Sequence, residues 1–313
     1  MDTIYIIILT ILVLFVCIFI YLLCSSEVKY QTTLKRNCLM AKIVSKYTYK
    51  HIDRYKIDLS WWKDKPVEKI SINSFDGLKL QGYFLKANTN NFAVVVHGYG
   101  AKAMEMQQYV KLFYEKNYNI LTFDNRGHGN SQGKTITMGY YDYKDVQTWI
   151  DFLIKKYPQC KIVVFGLSMG GATVCMYSGT KKPQNVKAII SDCAYSSAYD
   201  VFNNIANKSI ILSIIPTMKA YNIYLKYRIG FKLTDVEPKE MVKKCDVPIL
   251  FIHGDKDMFV PFYMRDVLYN NTSSKFRHKL TINKAGHALS LPLANEKYKN
   301  TVYNFLNEYL EKN

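Results

Sequence analysis

The 313-residue sequence is short of acidic residues and of paired cysteines. It has 25 Asp and Glu against 42 Lys and Arg, which gives a formal net charge of +17. The lysines run evenly from Lys29 to Lys312 and arginines are few, so no basic stripe forms and no nucleic-acid partner is expected. The seven cysteines form no CxxC pair and have no His at ligand spacing. A disulfide framework or metal site is therefore not expected, and neither is another cofactor.

A long apolar run opens the chain. The twenty residues Ile4–Leu23 carry no charge, and a helix of that length is about 30 Å long, the thickness of a bilayer core. The run predicts a single-pass transmembrane anchor over residues 1–24. A cleaved signal peptide is the alternative, but no basic region precedes the run and no small-residue cleavage site follows it.

Basic residues follow the span, and the positive-inside rule then favours a cytoplasmic position for the rest of the chain. They are Lys29, Lys35, Arg36 and Lys42. Residues 25–66 are polar with scattered apolar positions and form a predicted juxtamembrane segment. In it, Trp61 and Trp62 either lie at a headgroup interface or cover the edge of the domain that follows.

Residues 67–313 have the pattern of one α/β domain. An alternating run from Val67, a turn at Phe75-Asp76-Gly77 and a second alternating run predict a β-hairpin. Non-alternating apolar strands separated by helical patterns then indicate a mostly parallel, doubly wound sheet. The predicted strands are 92–96, 119–123, 161–165, 186–191 and 248–252, and the predicted helices are 103–116, 141–157 and 169–180.

About fifty residues separate the strand that ends near Cys193 from the strand that begins at Pro248. Two to six residues would suffice for such a connection. The interval has helical stretches of its own at 200–207, 209–215 and 218–227. We therefore expect a helical lid insertion at about 198–245.

The clearest chemical signal is the segment Gly166-Leu167-Ser168-Met169-Gly170. A lone GxSxG is weak, but this one follows a strand and opens a helix, the context that a nucleophile elbow requires. Its glycines allow the close approach of strand and helix. Ser168 is the predicted nucleophile.

A serine hydroxyl needs a base to activate it and an acid to orient the base. Among six histidines, His287 alone lies on a loop at the carboxyl end of a late predicted strand, so it is the predicted base. The strand that ends at Gly254 is followed by two carboxylates. Asp255 lies in the immediate turn, where Asp usually holds backbone amides, and Asp257 is the favoured acid.

A tetrahedral oxyanion needs two aligned backbone donors. The N–H of Met169, which follows the nucleophile, is the first candidate. The second is the N–H of Tyr99 in the glycine-flanked loop after strand 92–96, although the Tyr99 ring could instead pack over the pocket without its amide taking part.

At these residues the chain resembles the α/β-hydrolase superfamily over about 67–313. It is similar to membrane-anchored bacterial serine hydrolases of the serine-aminopeptidase-like (S33/S9-related), Bem46-like branch. The motifs HGYG, DNRGHGNSQG, GLSMGG, SDCAYSS, HGDKDMFVP and AGHALS carry the resemblance. It implies Ser168, Asp257 and His287 as a triad and Tyr99 and Met169 as oxyanion donors, and it treats the RGHG stretch as a structural turn.

The resemblance does not fix the substrate. An aminopeptidase needs a carboxylate for the α-ammonium, yet Ala198–Lys232 holds one acid, Asp200, among several lysines. Apolar runs in the insertion and the anchor favour a small-molecule acyl ester or thioester, unless those runs only pack the lid itself. Peptidase, acyltransferase and catalytically silent binding protein remain alternatives. The oligomeric state is left open.

Overall fold

The computed structural model describes residues 2–55, 58, 60–207 and 217–311. Within them, one sheet carries the strands β1 (Glu68–Asn73), β2 (Lys79–Leu85), β3 (Asn91–Val96), β4 (Asn119–Phe123), β5 (Lys161–Leu167), β6 (Val186–Asp192), β7 (Ile249–Gly254) and β8 (Arg277–Ile282). Their order across the sheet is β1-β2-β4-β3-β5-β6-β7-β8. β1, β2 and β4 pair antiparallel, and the pairings from β4 through β3 to β8 are parallel. The predicted α/β fold and its leading hairpin are confirmed.

Helices precede the sheet and cover both of its faces. The α-helices are α1 (Asp2–Thr33), α2 (Leu39–Arg54), α3 (Gln107–Glu115), α4 (Asp142–Lys156), α5 (Met169–Ser178), α6 (Ala198–Asn207), α7 (Thr217–Ile229), α8 (Pro238–Met241), α9 (Tyr263–Asn271), α10 (Ser290–Leu293) and α11 (Asn295–Leu306). α4 and α5 pack on one face of the sheet, and α3 and α11 pack on the other. Successive side chains of β3 alternate between the two cores, so both faces of this strand are buried and its sequence reads as a continuous apolar run.

The interval between β6 and β7 contains α6, α7 and α8. The predicted helices at 200–207 and 218–227 therefore have counterparts in α6 and α7. The predicted helix at 209–215, with the apolar run IILSII, lies outside the described residues. That the interval acts as a lid stays a prediction.

α1 is the one helix of the described chain that is long and apolar enough to cross a membrane, over Thr3–Thr33. A signal sequence would meet the same criterion. The helix extends about ten residues beyond the apolar run, and its end packs into the core of the domain, because Tyr30 and the following Leu34 are buried. The Ile136 N–H also donates to the Leu34 carbonyl at 2.7 Å.

Polar contacts hold the end of α1 on the domain. The Arg36 guanidinium donates to the carbonyls of Gly129 and Ser131, both at 2.6 Å. On the other side, Glu27 forms an ion pair with Arg228 of α7 at 3.3 Å. Residues that the sequence assigns to a juxtamembrane segment are thus packed against the domain.

Trp61 and Trp62 also contact the domain. Trp62 is buried in the core on the α3 side of the sheet. The Trp61 ring lies edge-on to Tyr114, with 5.5 Å between centroids. Of the two roles considered for the pair, the structure has them covering the domain.

The burial of Leu34 gives a stability prediction. Leu34→Ala should lower the free energy of unfolding by about 2–5 kcal/mol, because it leaves a cavity where the segment after α1 meets the domain. Leu39→Ala is the matched control: Leu39 is 59% exposed, and its loss should change stability by less than about 0.5 kcal/mol. Chemical unfolding of the detergent-solubilised full chain measures both. Equal stabilities for the two variants would contradict the docking of α1.

Candidate active site

Ser168 lies at a sharp turn between β5 and α5. Its backbone has φ 57° and ψ −115°, a conformation that non-glycine residues rarely adopt. The turn requires glycine on both sides. A Cβ at Gly166 would lie 2.1 Å from the Gly170 carbonyl oxygen, and one at Gly170 would lie 2.2 Å from the Val96 carbonyl oxygen. The strand, turn and helix of a nucleophile elbow are therefore present, with the serine side chain at the apex.

The structure brings Ser168, His287 and Asp257 into one hydrogen-bonded chain. Ser168 Oγ lies 2.8 Å from His287 Nε2. His287 Nδ1 lies 2.7 Å from Asp257 Oδ2. The other carboxylate oxygen, Asp257 Oδ1, accepts the backbone N–H groups of Phe259 and Val260, both at 2.9 Å. These two amides fix the carboxylate in the loop after β7 and so orient the imidazole.

Asp255, the alternative acid, has a backbone amide as its hydrogen-bond partner. Its carboxylate accepts the Lys284 N–H at 2.6 Å and so joins the turn after β7 to the turn after β8. Of the two candidate acids, Asp257 is the one with a hydrogen bond to His287.

A second imidazole, which sequence reasoning missed, contacts the same carboxylate. His253 Nε2 lies 3.1 Å from Asp257 Oδ2 and 3.1 Å from the Val260 carbonyl oxygen. The sequence interpretation placed His253 in a glycine-flanked turn, but it is the penultimate residue of the buried strand β7. A His in a buried strand must find a polar partner, and Asp257 four residues later was the available signal.

Burial and charge have opposite effects on the pKa values of Asp257 and His287. Burial raises the pKa of the Asp257 carboxyl, but the charge of His287 and the hydrogen bonds from His253 and His287 outweigh it, so the pKa lies below its usual range. Burial lowers the pKa of His287, but the Asp257 carboxylate outweighs it and the pKa lies above 6.5. Asp257 therefore stays ionised, and His287 is a stronger base than a free imidazole.

Cys193 completes a cluster at the end of β6. Its thiol, the Asp257 carboxylate and the His287 ring have atoms within 4.8 Å of one another, and these residue types can ligate metals. Burial raises the pKa of the Cys193 thiol to about 11, so it is neutral at pH 7 and a poor ligand. The facing atoms of His287 and Asp257 are already hydrogen-bonded to each other. The cluster suits proton transfer better than metal binding.

The loop after β3 runs close to the nucleophile. A Cβ at Gly98 would lie 3.3 Å from the Ser168 Cβ, so this glycine lets the two backbones approach. Tyr99 and Met169, the two predicted oxyanion donors, both line the cavity that contains Ser168. The Tyr99 hydroxyl donates to the Thr33 carbonyl at the end of α1, and this hydrogen bond holds the Tyr99 ring against α1.

Two neutral histidines hold this loop in place. His97 Nε2 accepts the Asn125 N–H at 2.9 Å, and His128 Nε2 accepts the Gly100 N–H at 3.2 Å. Burial lowers the pKa of both rings, that of His97 to about 3. Arg126 forms buried hydrogen bonds to Asp145 at 2.7 Å. These three residues of the HGYG and RGHG stretches therefore have structural roles.

A cavity of about 440 Å³ opens above Ser168 and His287, within the usual range for small-molecule sites. Its lining is almost wholly apolar and comes from three parts of the chain: the domain that contains the sheet, α6 and α7, and the N-terminal helices α1 and α2. The third contribution was not expected from the sequence. The polarity of residues 25–66 gave no sign that one side of each helix faces the site.

Comparisons with known proteins agree with this architecture. The family of serine aminopeptidases, S33, matches residues 87–229. The chain is 28% identical to the YqkD protein of Bacillus subtilis over 238 residues, 75% of this chain and 77% of that one. It is 26% identical to the bem46 protein of Schizosaccharomyces pombe over 202 residues, 62% of each chain. The esterase Pf2001 of Pyrococcus furiosus has a similar fold, with a TM-score of 0.65 at 21% identity over 79% of this chain and 95% of that one.

The elbow geometry gives a second prediction. Gly170→Ala should lower the free energy of unfolding by at least about 2 kcal/mol, because the new methyl group meets the Val96 carbonyl, which cannot move aside. Gly286→Ala is the control, since its nearest contact is the end of the Leu289 side chain at 3.4 Å and the cost should stay below about 1 kcal/mol. Thermal unfolding compares them. Similar midpoints for the two variants would argue against the close approach at Gly170.

Proposed function

Because the chain is an α/β-hydrolase enzyme of the Bem46-like branch, we propose that it is a membrane-anchored serine hydrolase that cleaves carboxylic esters, or thioesters, through an acyl-enzyme. The observation that carries the proposal is the hydrogen-bonded chain from Ser168 through His287 to Asp257, at the base of an apolar cavity.

The reaction follows from this geometry. His287 Nε2 takes the Ser168 proton as Oγ attacks the acyl carbon, and Asp257 stabilises the imidazolium that forms. The backbone N–H groups of Tyr99 and Met169 are the proposed oxyanion donors, each worth about 3 kcal/mol of transition-state stabilisation. His287 then returns the proton to the leaving alcohol or thiol. Water, activated by the same imidazole, releases the acid and restores Ser168.

The cavity lining favours an ester over a peptide with a free amino terminus. Among the described lining residues there is no Asp or Glu to hold an α-ammonium, and the charged side chain on the rim is a lysine, Lys29. Aminopeptidase activity therefore has less support. Acyl transfer to an alcohol or amine would use the same intermediate and is tested by adding such acceptors to the assay.

The anchor is part of the proposal. α1 would span the bilayer over Ile4–Leu23, with a cytoplasmic domain at 67–313 and a lid at about 198–245. The burial of Tyr30 and Leu34 in the domain supports an uncleaved helix, since the helix that enters the membrane is continuous with the core. The basic residues after the span support the cytoplasmic side.

Removal of the nucleophile is the direct test. Ser168→Ala should abolish labelling by a fluorophosphonate probe and lower p-nitrophenyl butyrate turnover by about 10³-fold or more. Ser178→Ala is the matched control, because its hydroxyl lies at the opposite end of α5 from Ser168 and donates to the Cys175 carbonyl at 2.7 Å, so both readouts should stay close to wild type. Ester turnover that survives in Ser168→Ala would refute the mechanism. A folded wild type that fails to label would favour a silent binding protein.

The perturbed pKa of His287 gives a pH prediction. Catalysis needs the neutral imidazole, so activity falls as the pH drops through the His287 pKa, which the Asp257 carboxylate holds above 6.5. The acid limb of kcat/KM should therefore have its midpoint above pH 6.5. Asp255→Asn should leave that midpoint in place, because Asp255 bonds to Lys284 and not to the imidazole. A midpoint at or below 6.5, or a flat rate to about pH 4, would count against His287 as the base.

A further inference from the structure

The N-terminal helices form one wall of the substrate cavity. Near its carboxyl end α1 contributes Val28, Lys29, Thr32 and Thr33, spaced so that they lie on one face of the helix. The same end contacts both the lid and the oxyanion loop. Thr33 Oγ1 is 2.9 Å from the Tyr221 hydroxyl of α7, and the Thr33 carbonyl accepts the Tyr99 hydroxyl. A helix that can enter a membrane thus ends beside the reacting atoms.

The cavity begins at the outer edge of the lipid headgroup layer if Ile4–Leu23 spans the bilayer. Val28 is five residues past Leu23, a rise of about 7.5 Å along the helix, and Thr32 is about 13.5 Å past it. The headgroup layer on each side of a bilayer is about 5–8 Å thick. Val28 is apolar and 61% exposed, so the exposed apolar surface of the span continues to the cavity rim.

α2 presents apolar and basic residues side by side. Leu39, Met40, Ile43 and Val44 line the cavity, and Lys42, Lys46 and Lys50 are exposed. Lys42 and Lys46 follow Leu39 and Ile43 by three residues each, so exposed lysines lie next to the cavity residues on the helix. An anionic leaflet would attract these lysines.

The rim of the cavity is apolar beside these lysines. Leu39 and Ile43 line the cavity, yet they are 59% and 51% exposed. Lys29 lines the same cavity, and a lysine there can cover apolar surface with its methylene groups while its ammonium extends to a lipid phosphate. An apolar rim with a neighbouring cation fits an acyl chain that enters from a phospholipid leaflet.

We propose that the substrate is an acyl ester of a membrane lipid, and that its acyl chain passes directly from the bilayer into the cavity between α1, α2 and the lid helices α6 and α7. The chain slides past Val28 and Ile43 while the ester carbonyl stops at Ser168. This proposal rests on the esterase function proposed above. It makes the N-terminal segment a determinant of substrate specificity in addition to its role as an anchor.

The test uses the full chain in phosphatidylcholine and phosphatidylglycerol vesicles, with two chromogenic esters. p-Nitrophenyl butyrate is supplied in water and reports the serine chemistry alone. p-Nitrophenyl palmitate is supplied either in the vesicles that carry the enzyme or in separate vesicles. Palmitate turnover should be at least about tenfold faster from the enzyme's own vesicles, because the shared bilayer raises the local substrate concentration.

Ile43→Asp places a charge on the proposed path. Because Ile43 lines the cavity, both esters should be affected, but palmitate kcat/KM should fall at least about tenfold more than butyrate kcat/KM. Ile43→Ala should show a smaller loss in the same direction. Ile223→Asp is the matched control: Ile223 is 56% exposed on α7 but does not line the cavity, so both esters should be unaffected.

Three results would overturn the proposal while leaving the esterase function intact. They are equal palmitate rates from the enzyme's own and separate vesicles, equal losses for both esters in Ile43→Asp and Ile43→Ala, and a palmitate loss in Ile223→Asp as large as that in Ile43→Asp. The first would indicate an acyl ester taken from water. A wild type without butyrate turnover would instead refute the esterase function itself.

Discussion

The close approach of three backbones at the nucleophile turn is the constraint on which the site depends. Gly166 and Gly170 let β5 and α5 meet, Gly170 contacts the end of β3, and Gly98 brings the loop after β3 to Ser168. The strained backbone of Ser168 exists because these contacts hold it on both sides. The position of the hydroxyl is thereby tied to the loop that carries Tyr99. The proposed nucleophile and oxyanion donors thus lie on backbones in close contact, and His287 Nε2 lies 2.8 Å from the Ser168 hydroxyl.

The basicity of His287 depends on the Asp257 carboxylate, which is buried but hydrogen-bonded through both oxygens. Burial alone would favour a neutral Asp257, which could not stabilise an imidazolium. Two amides hold Oδ1, and two imidazoles contact Oδ2, so the ionised form wins. From inside strand β7, His253 therefore helps to position the carboxylate of the proposed triad. The loop after β7 thus supplies both the acid and the amides that keep it charged.

Much of this architecture could be predicted from the sequence, because its signals are local. The buried strands appear as continuous apolar runs, and the elbow appears as small residues between a strand and a helix. Ser168, Asp257 and His287 follow from their positions at strand ends. The contact of His253 with Asp257 could be missed, since Gly254 beside it suggested a turn. The cavity side of α1 and α2 could not be found, because Val28 and Ile43 face a cavity whose other walls include residues as distant in sequence as Ser168 and His287.

The helix proposed as the membrane anchor, α1, is packed against the domain. A tether needs only to hold the domain near a membrane, and a flexible linker would serve that purpose. Here Leu34 is buried in the core, Arg36 is bonded to three loop carbonyls, and Thr33 accepts the Tyr99 hydroxyl. These contacts leave no linker between the helix and the domain, so the orientation of the helix fixes that of the active site. Because Thr33 also lines the cavity, the proposed membrane anchor and the substrate site share one packed interface.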